Sequence, residues 1–416
     1  MDTGKNFELS EKIFIIQPIV TDDYLALEKE AVSLIESVGA LHAGSIFQRV
    51  KEVSPATYIG AGKLEELRQR LSGLDVTILF NGELTPSQTL NISAALDNKK
   101  VIDRTTLILA IFAKNAKSSE GKLQVELAQL KYMYPRLKGK GEALSRLGGG
   151  IGTRGPGETK LETDRRRIRM RLDYLEAKLK EAETRRALHV NRRKKEKIPT
   201  ISLIGYTNTG KSTLLNLLTD ADVYAENKLF ATLDPTSRKF VIDGTEFILT
   251  DTVGFLRELP HSLISAFHST LESALNCDLA LIVCDASDDY EMQLNTTLST
   301  LDELHYNIPY LIVMNKSENL ESFDGYPAGS IFISAKTHAG IDGLKGEILR
   351  FFQKEYTDVR LFVPYSRMKD YSAVKKYATE KTFSYEEEGV FVSARIRKIY
   401  LPHFKDFLSK ADERNA

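Results

Sequence analysis

Cysteine is scarce, net charge is absent and no apolar run is long, and each of these absences removes a class of protein. The two cysteines, Cys277 and Cys284, give neither a disulfide framework nor the spacing of a metal site, so we expect buried, reduced thiols. Lys and Arg number 57, as do Asp and Glu, so the bulk charge indicates neither a nucleic-acid binder nor an acidic tail. No apolar run approaches the roughly 18 residues that cross a bilayer, and the first residues lack the apolar region of a signal peptide. These absences predict a cytoplasmic protein without a membrane span.

Residues 200–215 have the pattern of a buried strand, a glycine-bounded loop and the first turn of a helix. The loop fits G-x-x-x-x-G-K-[ST], in which Gly205 and Gly210 let the backbone wrap closely around a polyphosphate. Lys211 should reach the β- and γ-phosphates, and the Ser212 hydroxyl should bind Mg²⁺. A glycine turn without a ligand is the alternative. The predicted phosphate-loop residues are Gly205, Tyr206, Thr207, Asn208, Thr209, Gly210, Lys211, Ser212 and Thr213.

Three further strand ends carry loops in the order that a GTPase needs. The first offers the Asp251 carboxylate for Mg²⁺ and the Gly254 N–H for the γ-phosphate, and the next two follow apolar strands near residues 310–314 and 331–333. Because an open α/β sheet binds its ligand at the carboxyl ends of its strands, these loops should converge on one nucleotide. The residues expected to contact it are Asp251, Thr252, Val253, Gly254, Asn315, Lys316, Glu318, Ser334, Ala335 and Lys336.

Residues 228–238 are the candidate first switch. Within them Thr232 is the best candidate to complete the Mg²⁺ shell when a γ-phosphate is present. The switch residues expected to contact nucleotide are Phe230, Ala231, Thr232, Leu233 and Asp234. The predicted metal ligands are therefore Ser212, Thr232 and Asp251, and the predicted catalytic residues are Lys211, Thr232 and Gly254.

A basic, glycine-rich loop lies upstream. Residues 135–157 contain eight glycines among 23 residues, too little apolar side chain for the loop to order itself. From Arg136 to Lys197 the chain has 20 Lys and Arg against nine Asp and Glu, a net charge of +11. A solvated helix face is the alternative for such a run, but loop and charge together favour contact with irregular RNA.

These patterns predict an α/β fold of four domains. An N-terminal α/β domain (1–117) precedes a helical hairpin (118–197), whose first helix should stop near Pro135. A P-loop GTPase domain (198–355), with a mostly parallel sheet and helices on both faces, is followed by a small α+β domain (356–416). The last domain should have helices at 366–378 and 401–408 and carries no visible catalytic constellation.

Together, residues 205–213, 230–234, 251–255 and 148–158 resemble the HflX family of translational GTPases. Segments 81–88, 101–105 and 121–127 extend the resemblance over most of the chain. It implies an N-terminal domain and hairpin that insert into the large ribosomal subunit and its RNA, a GTPase domain that takes GTP and releases GDP, and the splitting of stalled or idle ribosomes under stress. We expect a monomer.

Three positions qualify this hypothesis. Glu318 stands where the family reads guanine with a shorter aspartate, which leaves base selectivity open. Phe255 stands where Ras-type enzymes have a water-orienting glutamine, so unassisted turnover should be slow. Asn208 resembles the asparagine of GTPases assisted by a monovalent cation, with a local hydrogen bond as the alternative. An ATP-driven RNA-remodelling enzyme and a nucleotide-controlled RNA-binding module with little catalysis remain the other candidate functions.

Overall fold

A computed structural model describes residues 11–20, 22–145, 156–196, 198–219, 229–230, 236–257, 260, 263, 275–354, 356–368, 374 and 377–408. The chain forms two compact units, one ending at His338 and the other beginning at Ala339. The four-domain division stays a prediction. No helix in the described part of the chain has both the length and the apolar character needed to cross a bilayer.

The N-terminal region is a parallel α/β sheet with an apolar core on each side. Its elements are β1 (Lys12–Ile19), α1 (Tyr24–Val38), β2 (Leu41–Arg49), α2 (Ala61–Arg70), β3 (Thr77–Phe80), α3 (Pro86–Ala95), β4 (Val101–Asp103) and α4 (Arg104–Asn115). The strand order is β2-β1-β3-β4, and every pair is parallel. Period-two alternation along β1 sends Ile13 and Ile15 into one core and Phe14 and Ile16 into the other.

Two long helices follow, α5 (Ser119–Ser145) and α6 (Pro156–Glu196). They pair through a narrow apolar seam in which Leu175 is fully buried against Leu127 and Leu130, as expected for single apolar stripes. The prediction that α5 stops near Pro135 is wrong, because the helix continues ten residues further, to Ser145.

The residue after this proline explains the continuation. The Arg136 guanidinium donates to the Tyr132 carbonyl at 3.1 Å, to the Leu84 carbonyl at 2.7 Å and to the Asp103 carboxylate at 3.0 Å. These contacts hold the turn around Pro135 in place although the proline itself has no N–H to donate. Of the glycine-rich loop predicted at 135–157, residues 135–145 are helical and belong to α5, residues 156–157 begin α6, and residues 146–155 lie outside the described residues.

The predicted P-loop GTPase fold is confirmed by a six-stranded sheet that is parallel except at one edge. Its elements are β5 (Thr200–Ile204), α7 (Lys211–Thr219), β6 (Thr236–Ile242), β7 (Thr245–Asp251), β8 (Leu279–Asp285), α8 (Tyr290–Glu303), β9 (Tyr310–Asn315) and β10 (Ile331–Phe332). The order is β10-β9-β8-β5-β7-β6, with only the β6–β7 hairpin antiparallel. Every residue of the central strand β8 is buried, as is typical of a parallel strand covered on both faces. Cys284 is buried on this strand as expected, and Cys277 just before it is only half-buried.

The second unit contains a helix and an antiparallel sheet. Its elements are α9 (Ile341–Gln353), β11 (Tyr356–Pro364), β12 (Ala378–Tyr385) and β13 (Gly389–Arg397), and the sheet order is β11-β13-β12. The helix predicted at 401–408 is wrong in type: Lys398–Phe407 is a 3₁₀ segment, and Pro402 within it lacks the N–H of an α-helical bond. Of the helix predicted at 366–378, Tyr365–Arg367 is 3₁₀ and Ala378 already begins β12, while residues 369–373 and 375–376 lie outside the described part.

Candidate active site

The phosphate loop leaves β5 at the carboxyl edge of the sheet, where two glycines accept contacts that no side chain would permit. Gly205 has φ of +149°, and a Cβ on it would lie 2.2 Å from the Val283 carbonyl oxygen. Gly210 has φ of +89°, and a Cβ there would lie 2.3 Å from Asn315 Nδ2. The loop therefore packs directly on β8 and on the end of β9, which requires glycine at both positions.

Lys211 begins α7 and folds back beneath the loop. Its Nζ donates to the Gly205 carbonyl oxygen at 3.1 Å and to the Tyr206 carbonyl oxygen. Burial lowers the pKa of this ammonium to about 8, although the Asp251 carboxylate acts in the opposite direction. The lysine is thus a buried cation that contacts only neutral carbonyls in these two bonds. Phosphate oxygens, which are charged, would stabilise the ammonium more strongly.

Ser212 and Asp251 are brought together from α7 and β7. The Ser212 hydroxyl donates to Asp251 Oδ2 at 2.6 Å, and Asp251 is fully buried. A hydroxyl and a carboxylate are hard oxygen donors of the kind that Mg²⁺ takes from proteins, while phosphates and water supply its other ligands. These two donors fit an ion that is shared with a nucleotide. Among the described residues, no three His, Cys, Asp or Glu side chains form a cluster that could hold a metal.

Asn315 joins three of the predicted loops. Its Nδ2 donates to the Thr209 carbonyl at 2.8 Å, and its Oδ1 accepts from the Ala335 N–H at 3.0 Å. Ser334 is buried beside it and accepts from the Thr337 N–H at 2.9 Å. The predicted convergence of the phosphate loop and the two later loops is therefore present in the fold.

Lys316 has a partner that we did not predict. Its Nζ pairs with Asp285 Oδ2 at 2.5 Å, and Asp285 is the last residue of β8. The sequence signal that could have predicted this contact is the carboxylate of Asp285, which follows an otherwise apolar strand of the same sheet. Glu318, Lys336, Thr213 and Asn208 are exposed, and the roles predicted for them stay predictions. Ala231, Thr232, Leu233 and Asp234 lie outside the described residues, so the switch contact and metal ligand predicted at Thr232 stay predictions too.

Sequence reasoning also missed a buried polar network from the N-terminal helices α1 and α4 to the phosphate loop. The Glu30 carboxylate pairs with the Arg104 guanidinium and accepts from the Tyr206 hydroxyl. The backbone N–H of Arg257, just after Phe255, donates to the same hydroxyl at 3.1 Å, and Arg104 donates to the Arg257 carbonyl at 3.2 Å. One network thus contacts both the phosphate loop and the segment that follows Gly254.

The N-terminal helices also hold the start of the first switch. The Leu229 N–H donates to Ser37 Oγ at 3.1 Å, and the Phe230 carbonyl accepts from Asn115 Nδ2 at 2.7 Å. Phe230 has φ of +56°, which is uncommon for a bulky residue, and its ring meets Phe112 edge-on with centroids 4.6 Å apart. Such a backbone persists only where its surroundings fix it, and here α1 and α4 do so.

Comparison with known proteins agrees with this geometry. Family models described as GTP-binding GTPase N-terminal, GTP-binding GTPase Middle Region and 50S ribosome-binding GTPase match residues 26–113, 115–193 and 200–316. GTPase HflX of Caldanaerobacter subterraneus subsp. tengcongensis is 48% identical over 88% of this chain and 86% of its own length. The Lacrimispora saccharolytica GTPase HflX is 41% identical over 98% and 97%. The chain belongs to the HflX family of GTPases.

Two further proteins are similar to this chain. The Escherichia coli GTPase HflX is 43% identical over 76% of both chains. A solved GTP-binding protein from Sulfolobus solfataricus, in complex with GDP, aligns over 83% of this chain and 99% of its own at 23% identity and a TM-score of 0.45. As an HflX-family GTPase, the protein binds guanine nucleotide and hydrolyses GTP. The alternatives of an ATP-driven enzyme and of a binding module with little catalysis are not favoured.

Lys211→Ala and Ser212→Ala should each abolish GTP hydrolysis while leaving the fold intact. The first substitution removes the buried ammonium group. The second removes the Ser212 hydroxyl, which contacts the Asp251 carboxylate. Phosphate release and the circular dichroism spectrum, measured on the same preparation, check this. Normal turnover in either variant would contradict the assigned phosphate loop.

Glu30→Gln should destabilise the protein by about 3 kcal/mol, because it leaves the buried Arg104 guanidinium without its opposite charge. The side chains of Arg104 and Glu30 are only 3% and 8% exposed. The measurement is the urea denaturation midpoint. Glu36→Gln, at an exposed position of the same helix, is the control and should leave the midpoint unchanged. Equal midpoints for the two variants would show that the ion pair contributes little.

Proposed function

We propose that this GTPase acts with Mg²⁺ on the large ribosomal subunit and separates the subunits of stalled or idle ribosomes under stress. The observation that carries the proposal is the charge of α6, which has 14 Lys and Arg against eight Asp and Glu. Family membership supports the same partner, since the model that matches residues 200–316 is described as a 50S ribosome-binding GTPase.

Part of this charge is available to a polyanion. Arg171 pairs with Glu126 on the neighbouring helix at 2.7 Å, and Lys131 pairs with Glu176 at 2.8 Å, so these charges help to hold the hairpin together. Arg166 and Arg167 are exposed and form no ion pair with any described residue. Cations of this kind bind phosphates through counterion release, which favours RNA as the partner.

The nucleotide chemistry follows from the site. Ser212 and Asp251 would hold Mg²⁺, with Thr232 as a further ligand, and the ion would neutralise charge on the β- and γ-phosphates. Lys211 would bind the same phosphates, and the Gly254 N–H would meet the γ-phosphate. Asn315, Lys316 and Glu318 would contact the base, while Ser334, Ala335 and Lys336 would support it. Asn208 would bind a monovalent cation, as the asparagine that it resembles does in cation-assisted GTPases.

Arg166→Gln with Arg167→Gln should weaken co-sedimentation with large ribosomal subunits in the presence of a non-hydrolysable GTP analogue. Loss of two phosphate contacts should reduce the slope of log affinity against log salt by about 1.5. The matched control is Lys63→Gln with Arg68→Gln, which removes the same amount of positive charge. Lys63 and Arg68 are already paired with Glu66 and Glu65 on α2, so their loss should not affect binding of RNA.

Light scattering of intact ribosomes tests the finer part of the proposal. The wild type with GTP should separate the subunits, and the α6 variant should do so more slowly at equal GTP affinity. Equal binding and splitting by the α6 and control variants would contradict a role for this helix face. Absence of any splitting by the wild type, despite binding, would leave a ribosome-associated GTPase of another purpose.

Glu318→Asp should leave GTP affinity equal or better and sharpen the rejection of ATP. The shorter carboxylate would reach the guanine N1–H and N2–H₂ without displacing the exposed 3₁₀ turn Ser317–Asn319. Competition of GTP and ATP for a fluorescent GDP analogue measures the ratio, with the nearby exposed Glu321→Asp as control. Loss of GTP binding would show that the pocket is built around glutamate.

A further inference from the structure

Phe255 leaves the site without the usual group for orienting the attacking water. Its ring is 2% exposed and belongs to the apolar cluster that contains Ile204, Leu275 and Ile282. The backbone of Phe255 is fixed as well, because its N–H donates to the Gly205 carbonyl at 3.1 Å and its carbonyl accepts from the Thr207 N–H at 2.8 Å. A rotation that brings this residue to the phosphates would break both bonds and empty the cluster.

Thr207 carries a buried hydroxyl that the folded chain does not use. The residue is 5% exposed, and its Oγ1 has no hydrogen-bond partner among the described residues. The neighbouring polar side chains of the loop are satisfied: Thr209 donates to the Tyr206 carbonyl and Ser212 donates to Asp251. A buried polar atom without a partner is costly and rare in a native fold, so its retention calls for a ligand.

Thr207 lies at the end of the loop where the γ-phosphate would bind. A Cβ built on Gly254 would lie 2.7 Å from Thr207 Cα, 2.8 Å from Thr207 Cγ2 and 3.0 Å from Lys211 Nζ. Thr207, Lys211 and Gly254 therefore surround a single point. In the proposed function Lys211 and the Gly254 N–H both contact the γ-phosphate, so Thr207 would lie beside that phosphate.

We propose that Thr207 Oγ1 positions the attacking water in GTP hydrolysis and takes the place of the missing glutamine. The water would donate one hydrogen bond to Oγ1 and direct a lone pair at the γ-phosphorus. The new bond joins the water oxygen to that phosphorus, the bond to the β–γ bridging oxygen breaks, and its electron pair leaves with GDP. Both protons of the water end on the inorganic phosphate, so the hydroxyl acts only as a hydrogen-bond acceptor and not as a base. The inference rests on the proposed contacts of the phosphate loop.

Thr207→Val tests this, because valine keeps the shape of the side chain and removes only the hydroxyl. We expect kcat to fall about tenfold, which is the value of one neutral hydrogen bond to the reacting group. The affinity for GDP with aluminium fluoride, which mimics the γ-phosphoryl group in transfer, should fall by the same factor. Affinity for GDP alone should not change. Thr207→Ser retains the hydroxyl and should keep at least half of the wild-type kcat.

Each other outcome contradicts the proposal. Equal losses for GDP and for GDP with aluminium fluoride would mean that Thr207 only supports the loop, and unchanged kcat would mean that its hydroxyl is not used. A valine variant and a serine variant that lose activity alike would point to packing against Gly254. All assays are run without ribosomes, so a negative result for Thr207 does not bear on the ribosomal proposal. Lys211→Ala in the same assays tests the phosphate-loop assignment independently of Thr207.

Discussion

The close approach of backbone to backbone around the phosphate loop is the constraint on which the site depends. Gly205 lies against the Val283 carbonyl with no room for a Cβ, and Gly254 lies against Thr207 Cα in the same way. These two contacts fix the loop between β8 on one side and the segment after β7 on the other. A methyl group at either position would force backbone atoms apart. The placement of Lys211 therefore depends on these two glycines.

The parts of the site that could be predicted are those with a local signature. Strand, loop and helix in fixed order place Lys211 and Ser212, and the rule that ligands bind at carboxyl strand ends places Asp251 and Asn315 in the same site. The network of Glu30 and Arg104 could not be predicted, because its partners are brought together by tertiary packing and each residue alone looks like an ordinary helix position. The wrong end assigned to α5 has a similar cause: proline is a local signal, and the contacts of Arg136 that outweigh it come from β4 and the loop before α3.

The N-terminal region is joined to the GTPase core through buried charged groups on α1 and α4. A buried ion pair is weak support for stability in itself, but its loss is costly, so it specifies one arrangement of the two regions. In this protein that arrangement includes Tyr206 of the loop and the backbone of Arg257. Any nucleotide-dependent movement of either residue must therefore exchange hydrogen bonds with Glu30 or Arg104. Leu229 and Phe230, held by Ser37 and Asn115, impose the same condition on the first switch.

The position of Lys211 indicates how a nucleotide would act on this arrangement. Its ammonium now donates to the carbonyls of Gly205 and Tyr206, the second of which belongs to the residue that contacts Glu30. Phosphate oxygens would compete for the same donors and free those carbonyls, since a charge-assisted bond to an anion is stronger than one to a neutral oxygen. Tyr206 is thus linked through its carbonyl to Lys211, which would bind the nucleotide, and through its hydroxyl to Glu30 on α1. A change in the partner of the Tyr206 carbonyl can therefore alter the contact of its hydroxyl with Glu30 through this one residue.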